Sequence, residues 1–149
     1  MILALLPGPL TDALGPNRFL RGWLIIRRNL GVAAFLYALL HLVFYVLDMQ
    51  LVSAMVSELA IPGIWTGWLA FTLLLVPAAI SFDAAMRRLG RRWKQIQRLV
   101  YPAFILALIH WLLLDWASGP ALVHLVPLVL AWTLRIIMRR RTIVTRSIA

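Results

Sequence analysis

No cysteine occurs in the sequence. Disulfides, iron–sulfur clusters and thiolate zinc sites are therefore excluded. Acid is scarce as well, with 5 Asp and Glu against 15 Lys and Arg. There is no paired carboxylate, no glycine-rich phosphate loop and no nucleophile triad, so hydrolase and ATPase chemistry find no support. What fills the chain is apolar. Of its 149 residues, 63% are hydrophobic and 13% charged, and the mean hydropathy is +0.91. A soluble domain of this length has too little interior to hide so much apolar side chain. A soluble four-helix bundle is disfavoured further because no apolar run carries a polar face. The net charge of +10 would suggest nucleic acid in a soluble protein. Here the basic residues sit at the ends of apolar runs, so they read as membrane topology, with lipid and not nucleic acid as the partner.

Four uncharged runs approach the length of a bilayer crossing: Asn29 to Leu47, Leu59 to Phe82, Leu99 to Leu114 and Trp116 to Leu134. A crossing needs ~20 residues at a rise of ~1.5 Å each. The third run is short and must borrow neighbours such as Gln97 and Asp115. The fold class expected is an all-α membrane protein, a bundle of four transmembrane helices over 29–138. Residues 1–28 would form an N-terminal stub and a cytoplasmic basic loop, and 139–149 a basic cytoplasmic tail. Every Lys and Arg falls on one side of such a bundle: Arg18, Arg21, Arg27 and Arg28; then Arg87, Arg88, Arg91, Arg92, Lys94 and Arg98; then Arg135, Arg139, Arg140, Arg141 and Arg146. The opposite loops hold Asp48, Glu58 and Asp115 and no basic residue. The positive-inside rule places both termini in the cytoplasm. The opening MILALLPGPL is apolar, too short to span, and broken by Pro7 and Pro9. No basic n-region precedes it, so it is not expected to act as a signal peptide. It reads like the tail of a longer apolar helix whose beginning is missing.

Within the apolar runs two stretches are near copies. Residues 34 to 41 read AFLYALLH and residues 103 to 110 read AFILALIH. Ala34, Ala38 and His41 share one helix face, and Ala103, Ala107 and His110 repeat it. His41 lies 13 residues after Arg28 and His110 lies 12 after Arg98. Both imidazoles thus sit roughly 18–20 Å in from the basic boundary, in the outer half of the membrane. The first and third crossings run the same way, so the two histidines share a depth. Ionisable side chains within a membrane are rare and usually functional. Two imidazoles at one depth, each below a strip of small side chains, suggest a planar group between two helices. A single b-type haem fits, with His41 and His110 as its axial iron ligands and the alanines leaving room for the macrocycle. The bland alternative is that each histidine hydrogen-bonds a neighbouring helix.

His124 lies four residues after Pro120, near the outer end of the fourth crossing. It could be an alternative ligand, a contact to a quinone or a partner, or an interfacial residue. Zinc held by three histidines would leave the alanine strips unexplained. Trp65, Trp68, Trp111, Trp116 and Tyr45 form an aromatic belt toward the outer interface. The loop DAAMRRLGRRWKQIQR is basic and amphipathic, suited to anionic lipid or to a soluble electron donor. Pro77, Pro102 and Pro127 are tolerable within crossings. No flavin- or nicotinamide-binding domain is expected after Leu134.

The segments IIRRNLGVAAFLYALLHLVFYVLD and SFDAAMRRLGRRWKQIQRLVYPAFILALIHWLLL resemble the ferric reductase-like transmembrane domain, and within it the bacterial branch that serves periplasmic methionine sulfoxide reductases. The resemblance covers roughly residues 1 to 138. It implies a six-helix b-type cytochrome of the bacterial inner membrane. That subunit passes electrons from a quinol or a cytoplasmic flavin reductase outward to a periplasmic molybdoenzyme, and has no catalysis of its own. Carried over, His41 and His110 match the family's haem-ligand histidines. Family members usually have a further histidine 13 residues before the one matching His110, in a pattern like RRWxxLHRLVY. Here that residue is Gln97, so one haem and not two is expected. Arg27, 14 residues before His41, occupies the corresponding inner level. With Arg28 and Gln97 it could contact a haem propionate or a quinone. FMN is a further candidate cofactor without a motif behind it. The family carries additional N-terminal helix, and LALLPGPLTDALGPNRFL aligns with the end of its second helix. Two other readings stay open. One is a haem-free accessory subunit of a larger complex, and the other a stand-alone quinone or ferric reductase.

Overall fold

The computed structural model describes residues 1–115 and 118–148, and the side chains of these except 118, 120 and 141–148. Every regular element among the described residues is an α-helix. In chain order they are α1 (Ile2–Leu5), α2 (Pro7–Leu14), α3 (Arg18–Met49), α4 (Val52–Glu58), α5 (Pro62–Ala79), α6 (Asp83–Leu89), α7 (Arg91–Gln97), α8 (Val100–Leu114) and α9 (Ser118–Ile148). Four segments are long and apolar enough to cross a membrane: Arg18–Met49, Pro62–Ala79, Arg91–Leu114 and Ala121–Arg140. The crossings expected from the sequence are therefore present, with shifted ends. Trp116, at the start of the fourth run and part of the aromatic belt, lies outside the described residues, as do the side chains of Arg141 and Arg146.

The shifts have local causes. The first crossing begins at Arg18 and not at Asn29, so its four arginines are helical and not in a loop. Asn17 caps it, its Oδ1 accepting the Leu20 amide at 2.7 Å, and arginine is a good helix former. The third crossing borrows from one end alone. Asp115 is extended (φ −121°, ψ 120°) and closes α8. The added length comes from α7, because the 15 residues of α8 span only ~22 Å. The C-terminal segment is helical to Ile148. The opening segment divides at Leu6 into α1 and α2, though the Leu6 backbone itself is helical (φ −66°, ψ −42°). Pro7 starts α2, where a missing N–H costs nothing, and the Leu6 and Leu10 amides still bond Ile2 and Leu6 carbonyls. Between the second and third crossings, Gly90 joins α6 to α7 with φ 51°, a conformation that favours glycine.

The chain forms two compact units, Met1–Leu30 with Gly119–Ala149, and Gly31–Ser118. In the first, α3 and α9 hold the opening segment. Trp23 Nε1 donates to the Leu3 carbonyl at 2.8 Å. Asp12 Oδ2 accepts Arg135 Nη2 at 2.6 Å and Arg139 Nη2 at 3.2 Å, and Arg135 lies 4.8 Å over the Trp132 ring. In the second unit the close pairing is α5 on α8. A Cβ at Gly63 would lie 2.6 Å from Leu114 Cδ2, and one at Gly67 2.5 Å from His110 Nδ1. Numbers rise on one helix as they fall on the other, so the pair is antiparallel. Glycines spaced by four let the two backbones approach.

Candidate functional site

The part of α3 in the second unit makes no such close approach. It reaches α5 through rings. Phe35 stacks on Phe71 with centroids 5.6 Å apart, and Tyr45 meets Trp68 edge-on at 6.5 Å. These contacts make α3 antiparallel to α5 and hence parallel to α8. They are ten residues apart on α3, about 15 Å along its axis, and they hold the helix off its neighbours as spacers would.

Midway between the spacers the two sequence-matched histidines meet. His41 on α3 and His110 on α8 have ring centroids 6.4 Å apart, with planes inclined by 74°. Two imidazoles that share one metal ion should have centroids about 6 Å apart: two bonds of about 2 Å, plus about 1 Å from each nitrogen to its ring centre. The observed spacing is close to that value. The His110 ring is half-buried, and its Nδ1 lies 2.6 Å from the Gly63 carbonyl oxygen. A carbonyl can only accept, so the proton of neutral His110 sits on Nδ1. Nε2 is left with its lone pair, the form a metal ligand needs. The His41 ring is exposed. Of the alanine strips, Ala103 is buried, while Ala34, Ala38 and Ala107 keep partial exposure.

The other residues singled out in the sequence have different surroundings. Gln97 Nε2 donates to the Pro77 carbonyl at 3.0 Å and lies 3.2 Å from Ser81 Oγ. It ties the start of the third crossing to the end of α5, and Trp93 adds a bond to the Ile80 carbonyl at 3.0 Å. Arg27 belongs to the first unit, where its Nε donates to the Ala4 carbonyl at 2.7 Å. His124 is also in that unit and half-buried. Among the described residues, no group of three or more His, Cys, Asp or Glu comes together. The sequence reading missed Gly63 and Gly67, which abut His110; the spacing in GIWTG was the available signal. It placed Glu58 in an outer loop without its partner: Oε2 accepts the hydroxyl of Tyr45, one turn beyond His41, at 2.9 Å.

Comparison with known proteins adds a family context. The family described as ferric reductase like transmembrane component matches residues 1–108. The chain is 37% identical, over 140 residues, to the protein-methionine-sulfoxide reductase heme-binding subunit MsrQ of Brucella anthropi, covering 90% of this chain and 61% of that protein. It is 34% identical over 138 residues to the protein of the same name from Rhizobium meliloti, with 89% and 62% covered. With that from Xanthomonas euvesicatoria pv. vesicatoria, identity is 36% over 148 residues, with 93% and 68% covered. The chain thus spans about three fifths of the length of the first two relatives. No solved structure matches it.

Proposed function

The chain belongs to the ferric reductase like transmembrane component family, and from that premise we propose that it is a membrane b-type cytochrome subunit in which His41 and His110 hold one haem. The observation that carries this reading is the 6.4 Å separation of the two rings, the spacing of two imidazoles on one iron. Bound there, haem supplies one-electron chemistry by cycling between ferric and ferrous iron. The protein does the rest. The Phe35–Phe71 and Tyr45–Trp68 contacts keep α3 far enough from α5 to admit a macrocycle edge. The small side chains of Ala38 and Ala107 leave its plane clear. The Gly63 carbonyl orients His110 and raises its basicity as a ligand. A single haem is favoured because the inner position is taken by Gln97, whose amide is occupied in capping α5.

The relatives' printed name, heme-binding subunit of a protein-methionine-sulfoxide reductase, supports an electron-transfer role without catalysis by this subunit. Electrons would enter from a quinol or a cytoplasmic flavin reductase on the basic side. They would leave to a redox partner in the periplasm, the membrane being the bacterial inner membrane. The test is the reduced-minus-oxidised spectrum of the purified protein with a pyridine haemochrome assay. We expect a b-type α-band and a haem-to-chain ratio near one. A ratio near two, or no band after reconstitution with haemin, overturns the proposal. Alanine at His41 or at His110 removes the low-spin spectrum, whereas alanine at His124 leaves it in place.

A further inference from the structure

We infer that the backbone of α5 at Gly63 and Gly67 is a positioning seat for His110, and that the two ligands are consequently unequal, His110 the fixed one and His41 the exchangeable one. This rests on the haem reading above, and it assigns to α5, which carries no ligand, control over the iron's electronic state.

The seat has a bond and a wall. The bond is His110 Nδ1–H to the Gly63 carbonyl at 2.6 Å. That carbonyl sits beside a buried hydroxyl, Thr66 Oγ1, which lies 2.8 Å from it and 2.8 Å from the Pro62 carbonyl. The wall is the bare backbone of Gly67. A methyl there would stand 2.5 Å from His110 Nδ1, 2.7 Å from Cε1 and 3.2 Å from Cγ. No side-chain rotation of Gly67 can relieve such a clash, because the added atom would be a Cβ. Only glycine lets the imidazole lie against this helix. With Nδ1 pinned, Nε2 keeps one direction, and hydrogen bonding from Nδ1 makes it a stronger donor toward ferric iron.

His41 has no equivalent. Its ring is exposed, and among the described residues its recorded contact is the His110 ring itself. On either side of it, Leu40 and Phe44 are 50% and 62% exposed. Among the described residues no group fixes its tautomer or restrains its rotation, so it can leave an iron that His110 continues to hold. The vacated position accepts a small neutral nitrogen base in its place.

Three variants of the full chain test this. His41→Gly should retain haem in a five-coordinate, high-spin form, and added imidazole should restore the low-spin spectrum. His110→Gly should lower haem affinity about tenfold or more without such rescue. Gly67→Ala should weaken ferric haem affinity by about tenfold and raise the midpoint potential, because the more basic ligand favours ferric iron. Equal haem loss and equal rescue in the two glycine variants overturns the inference, as does a Gly67→Ala protein of unchanged potential. Should Gly67→Ala fail to fold, nitrogen-15 NMR of the haem-free, unsubstituted protein reads the seat directly. A His110 resonance of the Nδ1–H tautomer upholds the seat even if no haem binds, and the Nε2–H tautomer refutes it. Failure of the haem reading and failure of the seat are thereby separate results.

Discussion

At the scale of single residues, replacement of a ligand-type residue by an amide changes what a position can do. Gln97 stands where the family resemblance leads one to expect a histidine, and it faces the Pro77 carbonyl and the Ser81 hydroxyl. Pro77 lies near the end of α5, where carbonyls lack intrahelical partners. Ser81 Oγ donates to the same oxygen at 2.6 Å, so Gln97 supplies the second of its hydrogen bonds. Removing that donor costs about 1 kcal/mol, the ordinary net worth of a hydrogen bond. We therefore expect Gln97→Ala to lower the thermal unfolding midpoint by about 2–4 °C, while the haem spectrum is unchanged. Differential scanning fluorimetry with parallel visible spectra checks both halves. A spectral change would return Gln97 to the vicinity of the cofactor. Arg27, a possible propionate or quinone contact from the sequence, donates its Nε to the Ala4 carbonyl.

At the scale of helices, α3, α5 and α8 divide the labour. Two carry the histidines and the third supplies the seat. The histidine-bearing pair was legible in the sequence because the same eight-residue pattern occurs twice at nearly equal distance from an arginine boundary. A periodic apolar run announces a crossing, and a shared offset announces a shared depth. The seat was not legible. Gly63 and Gly67 have the spacing of any close helix–helix contact, and only the fold reveals which residue of α8 they meet. The start of α3 was misread because charge was taken as a helix boundary, although a capped arginine-rich turn extends a helix readily. The Asp12 latch to Arg135 and Arg139 joins residues too far apart in sequence for any local pattern to announce it. The separation of α3 from α5 leads to a prediction. Ala38→Leu or Ala107→Leu fills space beside the histidines and should sharply reduce haem per chain by occlusion. Because both positions keep partial exposure, the haem-free protein should melt at the unsubstituted temperature or slightly above. Haem loss accompanied by a fall of the apo melting point would point to misfolding and sink the occlusion argument.

At the scale of the whole molecule, the 15 basic residues argue for one orientation of the crossings in the membrane. Between Arg28 and Arg87, and again between Arg98 and Arg135, the sequence has no Lys or Arg. Each interval holds the greater part of two candidate crossings and the loop that joins them. Carrying the intervening basic cluster across a bilayer would be opposed by the same energetics that keep cations on the cytoplasmic side. Acid at the other face has local partners that tolerate the interface: Glu58 accepts the Tyr45 hydroxyl, and Asp115 lies 3.3 Å from Trp111 Nε1. Both termini should then be cytoplasmic, and the His41–His110 pair should lie nearer the outer face, where a periplasmic acceptor could draw electrons from it. Fusions of alkaline phosphatase, active only outside, should report activity when placed after Met49 and after Ser118. Fusions of green fluorescent protein, fluorescent only inside, should light up at Gly90. Phosphatase activity at Gly90 would invert the bundle, placing the histidine pair nearer the cytoplasm, and the direction of electron flow proposed here would fail with it.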